Sequence, residues 1–135
     1  MSEPLRTGAI HHVRLTVNDV DRSRTCYMQT LGFTAVMELP PGTLLTNGTV
    51  LLGLAPPPSQ TGPDEWDHFD ENRVGLDHLA LSVDSHQDLE RAVQILDSAN
   101  VPHGEITDLG PDLGCYVLSL RDPDNIQLEL IAPRT

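Results

Sequence analysis

An internal repeat constrains the fold of this chain more than any other feature of its sequence. The stretch IHHVRLTV near the N-terminus alternates apolar and polar residues in the manner of a half-buried strand, and LDHLALSV repeats the pattern in the second half. When the two stretches are aligned on His12 and His78, apolar residues fall at matching positions and a helix pattern follows each stretch. The sequence therefore predicts two similar modules.

Each half continues from its strand into a helix and three further short strands. The first helix is expected to begin at Asn18 or Asp19 and to stop at Gly32. The second begins at Ser85, with Asp88 in the spacing of a capping box. The apolar runs that follow are separated by the turn signals Pro-Gly, Asn-Gly and Asp-Pro-Asp-Asn. Each half is therefore predicted to have the order β-α-β-β-β.

This order defines the expected domain organisation. The chain is predicted to form a single α+β domain over residues 1–135, in which two paired βαβββ modules, 8–56 and 73–133, form a curved mixed sheet around a cavity. The segment 57–72 between the modules is rich in proline and acidic residues and lacks periodicity. It is interpreted as a linker or surface loop, in which Trp66 and Phe69 are available to fold over a neighbouring surface.

Composition limits the partners and the compartment. The chain has 20 acidic and 8 basic side chains, and its formal charge of -12 repels phosphate backbones and anionic lipid surfaces, so neither nucleic acid nor a membrane is an expected partner. No stretch approaches the roughly 20 apolar residues of a membrane span, and MSEPLRTGAI lacks the apolar core of a signal peptide. Cys26 and Cys115 are too few for a disulfide framework. A cytoplasmic protein with reduced cysteines is therefore expected.

Strand facing is expected to bring three potential metal ligands to one side of the sheet. Because side chains alternate along a strand, His12 and Arg14 point away from the apolar face of the first strand. His78 has the equivalent position in the second half, and Gln127 and Glu129 lie on the corresponding face of the last strand. A single strand histidine is more often a hydrogen-bonded core residue. Two imidazoles and one carboxylate on the concave face, however, favour a divalent metal site formed by His12, His78 and Glu129.

Other polar residues on the same predicted face are candidates for contacts with a small-molecule substrate. Arg14 could pair with a substrate carboxylate or with an acidic side chain such as Glu129. Gln127 could orient the substrate or support Glu129. Only one of Cys115 and Tyr116 can face the cavity from the neighbouring strand, and Tyr116 is favoured. The candidate catalytic residues are therefore Glu129, Arg14, Gln127 and Tyr116.

Three motifs together resemble the vicinal oxygen chelate superfamily. IHHVRLTVNDVDRS with LGF, GLDHLALSV and LRDPDNIQLELIAP occur in the order typical of its members. These include glyoxalase I, fosfomycin-resistance proteins, extradiol dioxygenases, methylmalonyl-CoA epimerase and bleomycin-binding proteins. The resemblance covers nearly the whole chain apart from 56–72, and it implies a glyoxalase-like fold. It also implies metal ligands from the first and last strand of each module, which correspond here to His12, Leu52, His78 and Glu129.

Leu52 departs from the ligand pattern that the resemblance implies. Leucine cannot bind a metal, whereas glyoxalase I and the epimerase usually carry Glu or Gln at this place. The remaining His-His-Glu set resembles that of extradiol dioxygenases and fosfomycin-resistance enzymes instead. Extradiol enzymes, however, usually have a second pair of modules, and Ser119 stands where fosfomycin-resistance proteins have a tyrosine. Each activity thus lacks at least one expected feature.

Three functions implied by the resemblance stay open. The favoured one is a metal-dependent, glyoxalase-like lyase or isomerase that acts on a small substrate with vicinal oxygens chelated by the metal. The second is a non-haem Fe(II) ring-cleaving dioxygenase of the extradiol type. The third is a non-catalytic small-molecule-binding protein of the bleomycin-resistance kind, which usually lacks metal-binding residues. The metal is left open among Fe, Mn, Ni, Zn and Co. A homodimer is implied, with the site completed within one chain or across two.

Overall fold

The predicted α+β class with two βαβββ modules is confirmed by the structure of the protein, a computed structural model. The structure describes residues 3–59 and 67–134. Trp66 and the rest of segment 60–66, which belong to the predicted loop, lie outside the described residues. The elements in chain order are β1 (His12–Thr16), α1 (Val20–Leu31), β2 (Thr34–Leu39), β3 (Gly42–Thr46), β4 (Leu51–Ala55), β5 (Leu79–Ser82), α2 (His86–Ser98), β6 (Thr107–Asp108), α3 (Gly110–Leu113), β7 (Cys115–Arg121) and β8 (Gln127–Pro133).

Each module forms one four-stranded mixed sheet. The strand order is β1-β4-β3-β2 in the first sheet and β5-β8-β7-β6 in the second. The first and last strands of each module pair in parallel, and the other pairs are antiparallel. Among the described residues the predicted curved sheet therefore consists of two separate sheets, and β1 and β5 each form an edge of one of them.

The two longer helices begin at the predicted residues. Asp19 caps α1, because its side chain accepts a hydrogen bond from the main-chain N–H of Arg22 at 3.1 Å. Gly32 ends α1 in the left-handed conformation, with φ of 74°, which glycine adopts without strain. Ser85 caps α2 through the main-chain N–H of Asp88 at 3.3 Å. No helix in the described part of the chain has the length and apolar character needed to cross a membrane.

The helices and the apolar faces of both sheets enclose one hydrophobic core. Leu15 of β1 and Leu128 of β8 are 5% and 1% exposed, whereas Arg14, which points the other way, lies at the surface. The predicted alternation along these strands is therefore confirmed. It leaves the opposite faces of the two sheets on the outside of the chain. Core residues from both modules include Leu45, Leu54, Leu89, Leu96, Leu118 and Leu120.

Buried polar contacts join the modules between α1 and the turn that precedes β8. Tyr27 of α1 donates its hydroxyl to Oδ2 of Asp122 at 2.8 Å. Asp124 accepts hydrogen bonds from the Ser23 hydroxyl at 3.3 Å and the Asn18 side chain at 2.8 Å. Both carboxylates are 5% exposed, and burial raises the pKa of Asp122 above its ordinary value. The charged form of Asp122 therefore depends on the donors around it.

Replacing Tyr27 by phenylalanine is expected to lower the free energy of unfolding by about 1 to 3 kcal/mol. The ring still fills the core, but Asp122 loses a buried donor. Tyr116→Phe is the matched control, because the described residues give the Tyr116 hydroxyl no hydrogen-bond partner, while its partly buried ring also packs edge-on against another ring and against the core. Chemical denaturation measures both variants, and an equal loss of stability in the two would contradict the role assigned to the hydroxyl.

Two local features differ from the sequence pattern. His78 lies one residue before β5 and not inside a strand, because pairing with β8 begins only at Leu79. The run GEITDLG forms just the two-residue strand β6, and the short helix α3 follows it. Pro111 stands in the first turn of α3, where its missing N–H costs nothing. Asp108 accepts a hydrogen bond from the N–H of Gly110 at 2.8 Å, which closes the turn into this helix.

Candidate metal-binding site

His78 and Glu129 lie together on the outer face of the second sheet. Glu129 stands opposite Ala80 in the parallel pair of β5 and β8, which places it beside the residue that precedes β5. Nε2 of His78 is 3.2 Å from Oε1 of Glu129. The side chains are 36% and 24% exposed, so a small ligand can reach them. The structure thus brings two of the three predicted metal ligands into contact.

The other ring nitrogen of His78 is held by Asp77. Nδ1 of His78 is 2.7 Å from Oδ1 of Asp77, and an ionised carboxylate can only accept, so Nδ1 carries the proton of this hydrogen bond. A carboxylate in this position fixes the orientation of an imidazole and raises the basicity of its second nitrogen. Nε2 is therefore the nitrogen of His78 that is available to a metal.

A chain of hydrogen bonds from Arg121 through Gln127 holds the Asp77 side chain in place. Gln127 donates from Nε2 to Oδ1 of Asp77 at 3.0 Å, and its Oε1 accepts from Arg121 at 3.0 Å. Arg121 also makes two hydrogen bonds to Glu71, at 2.9 and 2.7 Å, which lower the pKa of Glu71 to about 2. The hydrogen bonds of Gln127 thus lead to His78 through Asp77. Asp77 was not among the site residues predicted from the sequence, although its place directly before His78 was a usable signal.

Protonation of His78 provides a test of this arrangement. The hydrogen bond to Asp77 raises the pKa of His78 above its ordinary value of 6.5; burial opposes this shift in part, and the nearby charge of Glu129 adds to it. Because the pKa of His78 is raised in the folded state, protonated His78 stabilises the folded protein at low pH. This contribution to stability is lost as the pH rises through the folded-state pKa of His78. We expect Asp77→Asn to lower this pKa, which NMR titration of the metal-free protein measures.

Asp97→Asn is the matched control for that titration. Asp97 lies 2.6 Å from Nε2 of His103 and raises the pKa of that histidine in the same way. The control variant should lower the pKa of His103 and leave the titration of His78 unchanged. If His78 in the unmodified protein titrates at or below 6.5, the proposed hydrogen bond to Asp77 is contradicted.

The third predicted ligand lies on the other module. His12 is exposed at the start of β1, and its Nδ1 is 3.0 Å from Nδ1 of His11. Across residues 3–59 and 67–134, no three His, Cys, Asp or Glu side chains are grouped so that they could hold a metal. A single chain therefore does not bring His12 together with His78 and Glu129.

The strand register revises the position that corresponds to Glu129 in the first module. Ala80 pairs with Glu129, and Arg14, which is the repeat equivalent of Ala80, pairs with Gly53. Gly53 therefore occupies the Glu129 position, and the expectation at Leu52 is wrong by one residue. Leu52 instead points into the core and is 4% exposed. Because glycine has no side chain, the first module still has no ligand in this position.

The prediction that Tyr116 faces the site is wrong. Tyr116 pairs with the fully buried Ala132 on β8, so its ring lies on the core side of the sheet. The centroids of the Tyr116 and His86 rings are 4.7 Å apart. Leu118 and Leu120 follow it on the same buried face, a pattern already visible in CYVLSL. Cys115 consequently lies on the outer side of β7.

An apolar cavity of about 480 Å³ separates the edges of the two sheets. Val13 and Leu52 line it from the first module, and Leu79 and Leu81 line it from the second. Asp84 stands among its polar lining residues. The lining does not include His78 or Glu129, so the cavity is distinct from the His-Glu pair.

Paired βαβββ modules of this topology define the vicinal oxygen chelate class. The chain belongs to the Glyoxalase/Bleomycin resistance protein/Dioxygenase superfamily, whose profile matches residues 9–130. The resemblance inferred from the three sequence motifs is thereby confirmed. Superfamily membership defines the fold and a broad range of activities, and it leaves the particular reaction of this chain to its own residues.

Relatives of this chain extend over nearly its whole length. The uncharacterized protein YwkD of Bacillus subtilis strain 168 is 32% identical over 134 residues, covering 90% of this chain and 94% of YwkD. The crystal structure of a glyoxylase/bleomycin resistance protein/dioxygenase domain from Frankia sp. EAN1pec is 30% identical, with a TM-score of 0.78 and coverage of 96% and 94%. Lactoylglutathione lyase from Agrobacterium tumefaciens is 21% identical, with a TM-score of 0.71 and coverage of 95% and 96%. The last likeness shows a shared fold alone.

Proposed function

We propose that this protein is a metal-dependent enzyme of the glyoxalase type, a lyase or isomerase acting on a small substrate with two adjacent oxygens. The observation that carries the proposal is the distance of 3.2 Å between His78 Nε2 and Glu129 Oε1. Two ligand atoms that are each about 2.1 Å from one cation lie about 3.0 to 3.4 Å apart in right-angled or tetrahedral geometry. The pair therefore fits two neighbouring positions around a divalent cation.

The third ligand in this proposal is His12 of a second copy of the chain. His12 is exposed, and it lies on the edge strand β1 and on the outer face of its sheet. The His78 and Glu129 pair lies on the outer face of the second sheet, whose edge strand is β5. In a homodimer with two-fold symmetry, the outer face of the first sheet of each copy would lie against the outer face of the second sheet of its partner. This arrangement would form two equal sites.

The side chains around the pair support a reaction that moves a proton. When bound, the cation would accept two adjacent substrate oxygens and withdraw electron density from them. Glu129 has a second carboxylate oxygen, for which no hydrogen bond is found among the described residues, and this oxygen can accept a proton from a neighbouring substrate carbon. Gln127 and Asp77 act by positioning, because they hold His78 in place.

The apolar cavity between the sheets favours a second candidate function. A volume of about 480 Å³ lies within the range of small-molecule sites, and its lining is mainly aliphatic. A non-catalytic binding protein would use this cavity and would not need His78 or Glu129. Under this alternative, Leu81→Glu should abolish the binding of an apolar fluorescent dye, whereas metal content should stay at zero.

Elemental analysis of protein purified without added metal tests the proposed function. Near-stoichiometric nickel, zinc, cobalt or manganese supports the lyase or isomerase class. Iron together with oxygen uptake in the presence of a catechol supports the extradiol dioxygenase instead. A protein that binds none of these metals at micromolar concentrations would overturn both enzyme classes, and the binding protein would remain.

A further inference from the structure

Arg14 has no ionic partner among the described residues of a strongly acidic chain. The chain has 8 basic residues, all arginine, against 20 acidic ones. Arg14 is exposed on the outer face of β1, two residues beyond His12, and within the described residues it makes no ion pair or hydrogen bond. The arginines with an acidic partner within ion-pair distance are Arg22, Arg24, Arg121 and Arg134.

The strand register explains why Arg14 is unpaired. The cross-strand row through Arg14 continues over Gly53 and Leu44 to Met37, and none of these residues is acidic. The neighbouring row through His12 contains Leu51, Thr46 and Thr34, which are also uncharged. Glu38 of β2 pairs instead with Thr43 and makes its ion pair with Arg24. Within residues 3–59 and 67–134, the outer face of the first sheet thus has a cation beside His12 and no carboxylate to neutralise it.

Gly53 gives the Arg14 side chain its place on this face. A Cβ atom built on Gly53 would be 3.5 Å from Cγ of Arg14, so the aliphatic part of the arginine lies across the glycine. The equivalent position in the second module holds the Glu129 carboxylate. The two outer faces are therefore complementary in charge. The first offers the Arg14 guanidinium beside Gly53, and the second offers the Glu129 carboxylate at the position equivalent to Gly53.

We propose that Arg14 binds an anionic group of the substrate, a carboxylate or phosphate that either contributes one of the two adjacent oxygens or lies next to them. The planar guanidinium fork matches the two oxygens of such a group. This inference depends on the proposed function, because it places the anion beside His12 in the shared metal site. It narrows the substrate class to acids such as 2-oxo or 2-hydroxy carboxylates and their phosphorylated counterparts.

The test compares a charged probe with its neutral counterpart. Protein loaded with the metal that it retains on purification is titrated calorimetrically with pyruvate, with the neutral pyruvamide and with inorganic phosphate. Pyruvate is expected to bind roughly 10-fold or more tightly than pyruvamide, as expected for a charge-assisted hydrogen bond. Arg14→Gln should remove this preference. Arg91→Gln is the matched control, because Arg91 is also exposed and without an ion-pair partner in the described chain.

Gly53→Glu provides a second variant. The added Cβ makes only ordinary contact with Arg14, and the new carboxylate would neutralise the guanidinium in place. Because Gly53 occupies the position equivalent to Glu129, the metal affinity of this variant is measured alongside, and at unchanged metal affinity it should lose the preference for pyruvate as Arg14→Gln does. A larger effect of Arg14→Gln on phosphate than on pyruvate would assign a phosphorylated substrate, and the reverse would assign a carboxylate. Both of these results support an anionic substrate.

Two results would overturn the inference. One is an unmodified protein that binds neither anion at millimolar concentrations. The other is a preference for pyruvate that Arg14→Gln leaves unchanged. If the Arg14→Gln variant with this unchanged preference also dimerises more weakly, Arg14 is assigned to an ion pair between copies. Titration with metal in anion-free buffer is run alongside. Failure to bind metal refutes the proposed function, whereas normal metal binding with Arg14-independent anion binding refutes this inference alone.

Discussion

Replacing Glu129 by alanine is expected to weaken the binding of a divalent metal by roughly 100-fold or more. Changes in residues that only support a metal ligand typically cost 10-fold to 100-fold, and loss of a ligand should cost at least as much. The Glu129 side chain is partly exposed on a regular strand and contacts His78, so its removal should leave the core intact. Calorimetric titration against a competing chelator measures the affinity, and circular dichroism checks the fold.

The chain contains a matched control for this experiment. His86 and Glu90 form a similar contact on the surface of α2, with Nδ1 of His86 3.0 Å from Oε1 of Glu90. Among the described residues, no second carboxylate contacts the His86 imidazole, whereas Asp77 provides such a contact for His78. Glu90→Ala should therefore leave metal affinity unchanged. A Glu129→Ala variant that binds metal as tightly as the unmodified protein would contradict the site, as would an equal loss in Glu90→Ala.

Sequence periodicity and capping were sufficient to predict most of the fold. The 2-residue period of the strands gave the correct facing of His12, Arg14 and Glu129, since burial of the apolar face determines which side a polar residue occupies. Asp19 and Ser85 predicted the starts of the two long helices, because capping is a local interaction. These features depend on neighbours in sequence, which the chain displays directly.

Features that depend on register were harder to predict. When the last strands of the two modules are aligned by their shared Ala-Pro ending, Leu52 matches Glu129 in the alignment. This alignment is shifted by one residue, and such a shift moves a side chain to the other face of the sheet. The pairing of Arg14 with Gly53 shows the true register. Tyr116 lies on the face opposite to the predicted one. The burial of Leu118 and Leu120 determines which side of β7 faces the core, and Tyr116 lies on the same side as these residues.

The separation of His12 from the His78 and Glu129 pair could not be predicted from sequence. Internal repeats indicate equivalent positions, but they do not specify whether equivalent faces of two modules meet in one chain or in different copies. That choice depends on how the modules pack. Here α1 of the first module is joined to the second through Tyr27 and Asp122, and both sheets place their apolar faces on one core. The polar faces consequently point outward.

A metal site shared between two copies predicts that two inactive variants complement each other. In a heterodimer of His12→Ala and His78→Ala chains, one site keeps its His12 from the second chain and its His78 and Glu129 from the first. The other site loses both histidines. We therefore expect one metal ion per heterodimer at the affinity of the unmodified protein, and none at that affinity in either parent homodimer.

A heterodimer of His78→Ala and Glu129→Ala chains is the matched control. Both changes fall in the same half of the site, so neither of its two sites retains a complete ligand set. It should bind no metal at the affinity of the unmodified protein. This control separates true complementation from a general effect of forming heterodimers.

The most direct test of a site shared between copies is the metal content of the His12→Ala and His78→Ala heterodimer, isolated by two different affinity tags. A site shared between copies predicts one tightly bound divalent ion per heterodimer, compared with two per dimer of unmodified protein. A heterodimer that binds no metal while the unmodified protein binds it would place all three ligands in one chain. A His12→Ala homodimer that retains full metal affinity would contradict the role of His12 altogether.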